Sequence, residues 1–166
     1  MNNGLTMTYA HAATFNKNGD VIVGTSDGGL FRSTNLGGNW TKIEIGFGNR
    51  TVQTLICDDS GQIFLGGDGG YTGRGVLRST DDGITWTQTD SSISPQNINV
   101  IAAGRSGTLY VGTADNGMFY SQDNGSRWQK LNEGLRHYSI SSLAIRRNGN
   151  IFAATGVGGV YRRDQP

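Results

Sequence analysis

The chain of 166 residues carries 14 Lys and Arg against 13 Asp and Glu. This near balance argues against a dedicated surface for nucleic acid or for an anionic membrane, and we expect neither partner. The 27 Gly and 2 Pro are typical of an all-β chain of short strands joined by tight turns. The only cysteine, Cys57, excludes an intrachain disulfide.

The N-terminal residues, MNNGLTMTYA, lack the basic region and the apolar run of a signal peptide. No apolar stretch approaches the roughly 18 residues that a transmembrane helix needs. We therefore expect a soluble chain. Its compartment is left open, because removal of a leader would be compatible with a secreted or periplasmic protein.

Units of four short strands follow one another along the chain. The first strand of a unit is apolar and β-branched, and a turn with Gly at positive φ leads into the second. A loop separates the second and third strands, and the fourth begins at a Trp. No window has a sustained 3.6-residue apolar period, so we predict no helix. Examples of the predicted strands, in chain order, are Val21–Thr25, Gly29–Ser33, Thr51–Ile56, Ile98–Ala102, Leu109–Thr113 and Gly117–Ser121.

Three units share the pattern Ser-x-Asp-x-Gly-x-x-Trp between the third and fourth strands, with Asn in place of Asp in the first copy. The tryptophans lie 46 and 42 residues apart, and four extra residues, 71–74, mainly explain the longer spacing. A fourth copy of the stretch that precedes the pattern starts at Ile151, but it is not followed by the pattern. The pattern residues are Ser33, Asn35, Gly37, Trp40, Ser79, Asp81, Gly83, Trp86, Ser121, Asp123, Gly125 and Trp128.

Four strands in about 40–45 residues are typical of a β-propeller blade. The sequence therefore predicts one all-β propeller domain over residues 1–166, with four four-stranded blades, the last lacking its outer strand. The predicted blades span approximately residues 5–45, 50–90, 97–132 and 138–164.

The shared pattern resembles the Asp-box, or bacterial neuraminidase repeat, of sialidase-like propellers. It is also similar to the repeats of xyloglucan-cleaving enzymes and of photosystem-assembly and sortilin-type proteins. The resemblance covers nearly the whole chain and identifies an architecture rather than one activity. It implies that the boxes are structural and lie on the face opposite an active site.

Physical chemistry gives each box residue a structural role. The carboxylate is expected to accept several backbone N–H groups, the Ser hydroxyl to add a local bond, and Gly to take positive φ. The Trp ring is expected to fill the wedge between blades. The alternative, that Asp81 and Asp123 are catalytic acids or calcium ligands, is disfavoured because they lie one per blade and a catalytic pair must converge on one substrate.

If the boxes occupy one face, the opposite face carries the loops between second and third strands and the connections between blades. Extra residues that interrupt a repeat usually lie on a binding face, which singles out Tyr71 and Arg74. Simple solvated loop is the alternative for the whole set. The ligand-binding candidates are Tyr71, Arg74, Asp68, Asp27, Asp115, Arg50, Arg136, His137 and Tyr138, together with Phe47.

A binding or assembly role is expected rather than catalysis by this chain alone, with a glycan or a protein as the ligand and no cofactor or metal. A sialidase-like site would need a glutamate partner for a tyrosine nucleophile, and the only glutamates are Glu44 and Glu133. The alternative is a subunit or fragment of a sialidase-like or xyloglucanase-like glycoside hydrolase.

The chain is also expected to pair with a copy of itself. Four blades left as an open arc would expose apolar faces and an unpaired edge. Two chains joined head to tail would close an eight-bladed ring with twofold symmetry. A closed four-bladed monomer and a piece of a longer propeller are the alternatives.

Overall fold

The structure is a computed structural model that describes residues 3–6, 9–26, 29–45, 51–68, 75–93 and 96–164. Within these ranges fifteen strands form four antiparallel sheets, in which consecutive strands are hydrogen-bonded neighbours. Three sheets have four strands and the last has three, which confirms the predicted propeller fold. In chain order the strands are β1 (Ala10–Phe15), β2 (Val21–Thr25), β3 (Leu30–Ser33), β4 (Thr41–Ile43), β5 (Val52–Cys57), β6 (Ile63–Gly67), β7 (Val76–Ser79), β8 (Thr87–Gln88), β9 (Ile98–Ala103), β10 (Leu109–Thr113), β11 (Met118–Ser121), β12 (Gln129–Lys130), β13 (Ile140–Ile145), β14 (Ile151–Thr155) and β15 (Gly159–Arg163).

The strand boundaries differ from the sequence-based ones by a residue or so. The third strands begin after Gly29 and Gly117, because the carbonyls of these glycines close the preceding loop by accepting the N–H of the last residue of the second strand. The fourth strands begin after the Trp. The described residues contain no α-helix, but Ser91–Ile93 and Arg105–Gly107 form single 3₁₀ turns. No described helix is long and apolar enough to span a membrane.

The four sheets stack as consecutive blades. Their first strands, β1, β5, β9 and β13, pack side by side in that order. Three apolar cores result, one at each junction between neighbouring blades. Among the described residues, the strands of the first and fourth blades make no comparable packing with each other. The described blades therefore form an open arc, in which the sheet face at each end packs against no other blade.

Each blade has a forward face towards the next blade and a rear face towards the preceding one, since side chains alternate along a strand. The junction between blades two and three shows the rule. Phe64 and Val76, on the forward face of blade two, share a buried core with Leu109 and Val111, on the rear face of blade three. All four side chains are fully buried. Burial on this scale contributes about 1.5–3 kcal/mol per side chain.

Candidate functional site

The three shared patterns fold into closely similar turns, here called the Ser–Asx turns (Ser33–Trp40, Ser79–Trp86 and Ser121–Trp128). In the third turn the buried Ser121 Oγ accepts the N–H of Gly125 at 2.8 Å and that of Asp123 at 3.3 Å, and donates to Asp123 Oδ1 at 2.8 Å. Asp123 Oδ1 also accepts the N–H of Arg127 at 2.9 Å. The serine hydroxyl is thus the centre of the turn.

The serine accepts more of the backbone N–H groups than the one local bond expected of it. Each Asx side chain accepts the N–H four residues on, from Asn39, Thr85 or Arg127, while the serine accepts two. The reason is position, because the serine is the last residue of the third strand and lies inside the turn. The turn glycine has φ near +85°, and the residue before it also has positive φ.

Hydrogen bonds keep the turn carboxylates ionised. The hydroxyl and N–H of Thr85 hold the pKa of Asp81 below its ordinary value. Partial desolvation raises the pKa of Asp123, but the bonds from Ser121 and the Arg127 N–H outweigh this effect, and the net shift of the pKa is also downward. A carboxylate with a lowered pKa is a poor proton donor at neutral pH. These groups are suited to holding a turn rather than to acid catalysis.

Replacing Ser121 with Ala is expected to lower the free energy of unfolding by about 1–3 kcal/mol, because the buried N–H of Gly125 loses its acceptor. Asp123→Ala should cost less, since its carboxylate is exposed and water can take over its contacts. Urea unfolding of both variants measures the difference. A larger loss for Asp123→Ala would show that the carboxylate, not the hydroxyl, holds the turn.

The described parts of the loops between second and third strands and of the connections between blades lie at the opposite end of the blades, here called the connection face. In each blade, the residue after the second strand donates its N–H to a carbonyl just before the first strand. Examples are Asp68 N–H to Thr51 O at 3.1 Å and Gly156 N–H to Ser139 O at 2.9 Å. The topology therefore places these segments on one face, away from the Ser–Asx turns.

Five candidate residues lie among the described residues of this face, and all five are exposed. Asp115 and Tyr138 are on neighbouring segments, because the N–H of Gly117 donates to Tyr138 O at 2.8 Å. Asp68 is on the blade-two loop. The remaining two candidates, Arg136 and His137, belong to the connection that enters blade four. The candidates Asp27, Arg50, Tyr71 and Arg74, and Phe47, lie outside the described residues.

The candidates of blade four line a cavity of about 270 Å³. His137 lies against Gly158 so closely that a Cβ on this glycine would lie 2.1 Å from the imidazole Cδ2. Tyr161 closes another wall and donates its hydroxyl to Glu133 O at 2.5 Å. The cavity presents the Arg136 guanidinium, the His137 imidazole and the Tyr161 ring to a ligand. Its other lining residues are Gly134, Leu135, Thr155 and Val160.

Sequence reasoning missed a larger cleft, of about 710 Å³, beside the Ser–Asx turns of blades one and two. Lys42 and Glu44 form an exposed ion pair at 2.7 Å on one wall, and Ile84 lies on another. The expectation that the Ser–Asx side is purely structural gave these residues no role. The alternation of charged and apolar residues in TKIEI was the available signal. The other lining residues are Arg32, Thr34, Asn35, Asn39, Thr41, Ile43 and Gly83.

A second unpredicted feature is a charged cluster at the first turn of blade one. Asp20 is 8% exposed and is paired with the Arg32 guanidinium, with the Arg32 Nε at 2.9 Å. The Asn16 amide also donates to Asp20, at 3.0 Å. The bonds from Arg32 and Asn16 hold the pKa of Asp20 below its ordinary value. This cluster fixes the turn and is not on the connection face.

Comparison with solved structures places the chain among propellers. It superposes on the computationally designed Ika4 protein with a TM-score of 0.73, 16% identity, and coverage of 97% of this chain and 93% of that chain. The extracellular domain of a putative hybrid two component system from B. thetaiotaomicron gives a TM-score of 0.79, 14% identity, and coverage of 98% and 24%. The GH74 xyloglucanase from Xanthomonas campestris gives 0.76, 16%, and coverage of 96% and 30%.

These identities establish the fold alone. The chain spans about a quarter of the extracellular domain and 30% of the xyloglucanase. No curated protein matches it. The family model that matches is Sortilin-Vps10, described as sortilin, neurotensin receptor 3, and it covers residues 14–158. The chain therefore belongs to the Sortilin-Vps10 family of β-propellers.

Proposed function

We propose that the chain is a non-catalytic binding module of the Asp-box type, which recognises a glycan or a protein through its connection face. The three Ser–Asx turns support the Asp-box assignment, because they share one hydrogen-bond pattern at the position where the repeat requires it. The exposed side chains of Asp115, Tyr138 and His137 supply the polar and aromatic contacts that such recognition uses.

The hydrogen bonding of the described carboxylates is the observation that favours binding over glycoside hydrolysis. Hydrolysis of a glycosidic bond needs a carboxylic acid with a raised pKa, opposite a second carboxylate. The described carboxyl groups whose pKa departs from the ordinary value are all shifted downward, through hydrogen bonds that stabilise the charged form. These groups are Asp20, Asp81, Asp90 and Asp123.

The comparisons with known proteins also favour a binding role. The matching family is described as a receptor, and one structural neighbour is the extracellular domain of a putative hybrid two component system. Binding of an external ligand is the role that a receptor propeller and such a domain would share. Neither likeness names a ligand for this chain.

The second candidate is a subunit or fragment of a glycoside hydrolase, which the likeness to the xyloglucanase favours. A glycan array, a peptide array and a panel of chromogenic glycosides separate the candidates. Retention on either array without turnover of any glycoside supports the binding module. If the purified chain turns over a glycoside, and substitution of a single carboxylate abolishes that turnover, the binding-module proposal is wrong and the hydrolase candidate is supported.

Replacing Tyr138 or Arg136 with Ala is expected to weaken ligand binding by about tenfold or more, as for central contacts of an interface. The melting temperature should stay within about two degrees, because both side chains are exposed. Lys42→Ala, in the cleft beside the Ser–Asx turns, is the matched control and should leave binding unchanged. Loss of binding in Lys42→Ala alone would move the site to that cleft. Tyr71→Ala and Arg74→Ala test the insertion in the same assay.

A further inference from the structure

The two ends of the arc present sheet faces that no other blade covers within the described ranges. On the forward face of blade four, Val160 is 70% exposed and Phe152 is half-buried. The residues at the same positions of blade two, Val76 and Phe64, are fully buried against blade three. On the rear face of blade one, Phe15 is 60% exposed. Large exposed apolar groups on a sheet face indicate a surface that another element covers.

The forward face of blade four repeats that of blade two position by position. In blade two, Thr54 pairs with Gly66 and Gly66 with Val76, while Phe64 pairs with Arg78. The same pairing register relates the five residues of blade four. Blade four is therefore built to receive a rear face like that of blade three. Its five residues, in the same order, are Ser142, Ala154, Val160, Phe152 and Arg162.

The rear face of blade one has the register of the rear face of blade three, with smaller side chains. Val23 and Phe31 of blade one correspond to Val111 and Phe119 and are already buried within the chain. Ala13 corresponds to the buried Ile101 and is itself exposed. The remaining correspondences are Ala10 with Ile98, and Val21 with Leu109.

The sizes of the side chains of Ala154 and Ala10 indicate that these two faces fit each other. At the junction of blades two and three, a Cβ on Gly66 would lie 2.5 Å from Ile98 Cγ2, so the large side chain requires the glycine. The junctions on either side use the same match, Gly24 with Val52 and Gly112 with Ile140. On the open faces the glycine position is Ala154 and the branched position is Ala10. If blade four packed on blade one, the methyl that Ala154 adds relative to glycine would therefore meet Ala10, which is smaller than the branched residue at that position.

The polar groups of the junction are repeated as well. Between blades two and three, Thr54 Oγ1 accepts the N–H of Ile101 at 3.1 Å. Ser142 places a hydroxyl at the same position of blade four, and the corresponding N–H is that of Ala13. Arg78 donates to Asn124 O at 3.2 Å, across the same junction. Arg162 is placed to donate in the same way to the carbonyl of Leu36, the residue that corresponds to Asn124.

We infer that the forward face of blade four binds the rear face of blade one in a second copy of this chain, closing a twofold eight-bladed ring. Within one copy, the two faces do not pack against each other among the described residues. Propellers typically have roughly four to eight blades, so two four-bladed arcs complete a ring and a third copy exceeds the range. Each copy contributes one forward and one rear face, as twofold symmetry requires.

Sedimentation equilibrium of the purified chain at micromolar concentration tests the ring. The expected result is a single species of twice 17.7 kDa. Val160→Asp, which buries a charge at the interface, should reduce the species to a monomer. Ile84→Asp is the matched control, since Ile84 is 61% exposed but lies on a Ser–Asx turn outside both faces, and it should remain dimeric.

The match of Ala10 with Ala154 is tested by size. Ala10→Ile should weaken dimerisation by about tenfold or more, because its branched side chain meets the Ala154 methyl. Adding Ala154→Gly restores the match found inside the chain and should recover most of the affinity. A folded wild-type species at 17.7 kDa would overturn the ring, and so would a species of three copies. A dimer that survives Val160→Asp, or an Ala10→Ile dimer that Ala154→Gly does not rescue, would overturn the assigned faces.

Discussion

Trp128→Ala is expected to lower the free energy of unfolding by about 3–5 kcal/mol, the cost of removing a large aromatic ring from a packed core. The ring is 8% exposed and lies in the apolar core between blades two and three, with Phe64 and Phe119. Its Nε1 donates to Thr89 Oγ1 of blade two at 3.3 Å. The substitution therefore removes both packing and a polar link across the junction.

The matched comparison is Trp86→Ala, at the same position of the preceding blade. Trp86 is half-buried, packs at the margin of the core between blades one and two, and donates to Gly83 O of its own turn at 3.0 Å. Its loss should therefore be smaller than that of Trp128. Urea unfolding of both variants checks the order. Equal losses would show that the ring stabilises its own turn rather than the junction between blades.

The fold could be predicted because it depends on features that recur in the repeat. A strand of β-branched residues, a turn glycine and a Trp recur at intervals of 42–46 residues. These features predict the strand boundaries to within a residue or so. The serine's part in the turn could not be read in the same way, because Ser121 and Asp123 both carry acceptors at short range. Only the backbone geometry shows that Gly125 N–H points to the hydroxyl.

The candidate site was harder to predict because the loops of the connection face differ from blade to blade. Repeat comparison identifies which segments share the face, such as those of Asp115 and Tyr138, which the Gly117 N–H to Tyr138 O bond links. It does not give cavities, which depend on contacts between loops of different sequence, such as His137 against Gly158. The charged pair of Asp20 and Arg32 is local to blade one because Asp20 occurs in that copy alone, and a residue present in one copy leaves no repeat signal.

The second large effect is expected at the glycine that lets blades two and three approach. Gly66→Ala should cost about 1–3 kcal/mol, because the new Cβ would lie 2.5 Å from Ile98 Cγ2 in a junction with no room to relax. Ile98→Ala, which removes a fully buried side chain, should cost about 2–5 kcal/mol. Both losses are measurable as shifts of the urea midpoint.

The double variant, Gly66→Ala with Ile98→Ala, tests whether the two positions interact. With Ile98 shortened, the methyl added at position 66 enters space that the branched side chain vacated, so the combined loss should fall short of the sum by about 1 kcal/mol or more. Positions 66 and 98 would then reproduce inside one chain the Ala–Ala match that we propose for Ala154 and Ala10 between copies. Strictly additive losses would mean that the blades do not interlock at this position. The size match proposed between copies would then lose its physical basis.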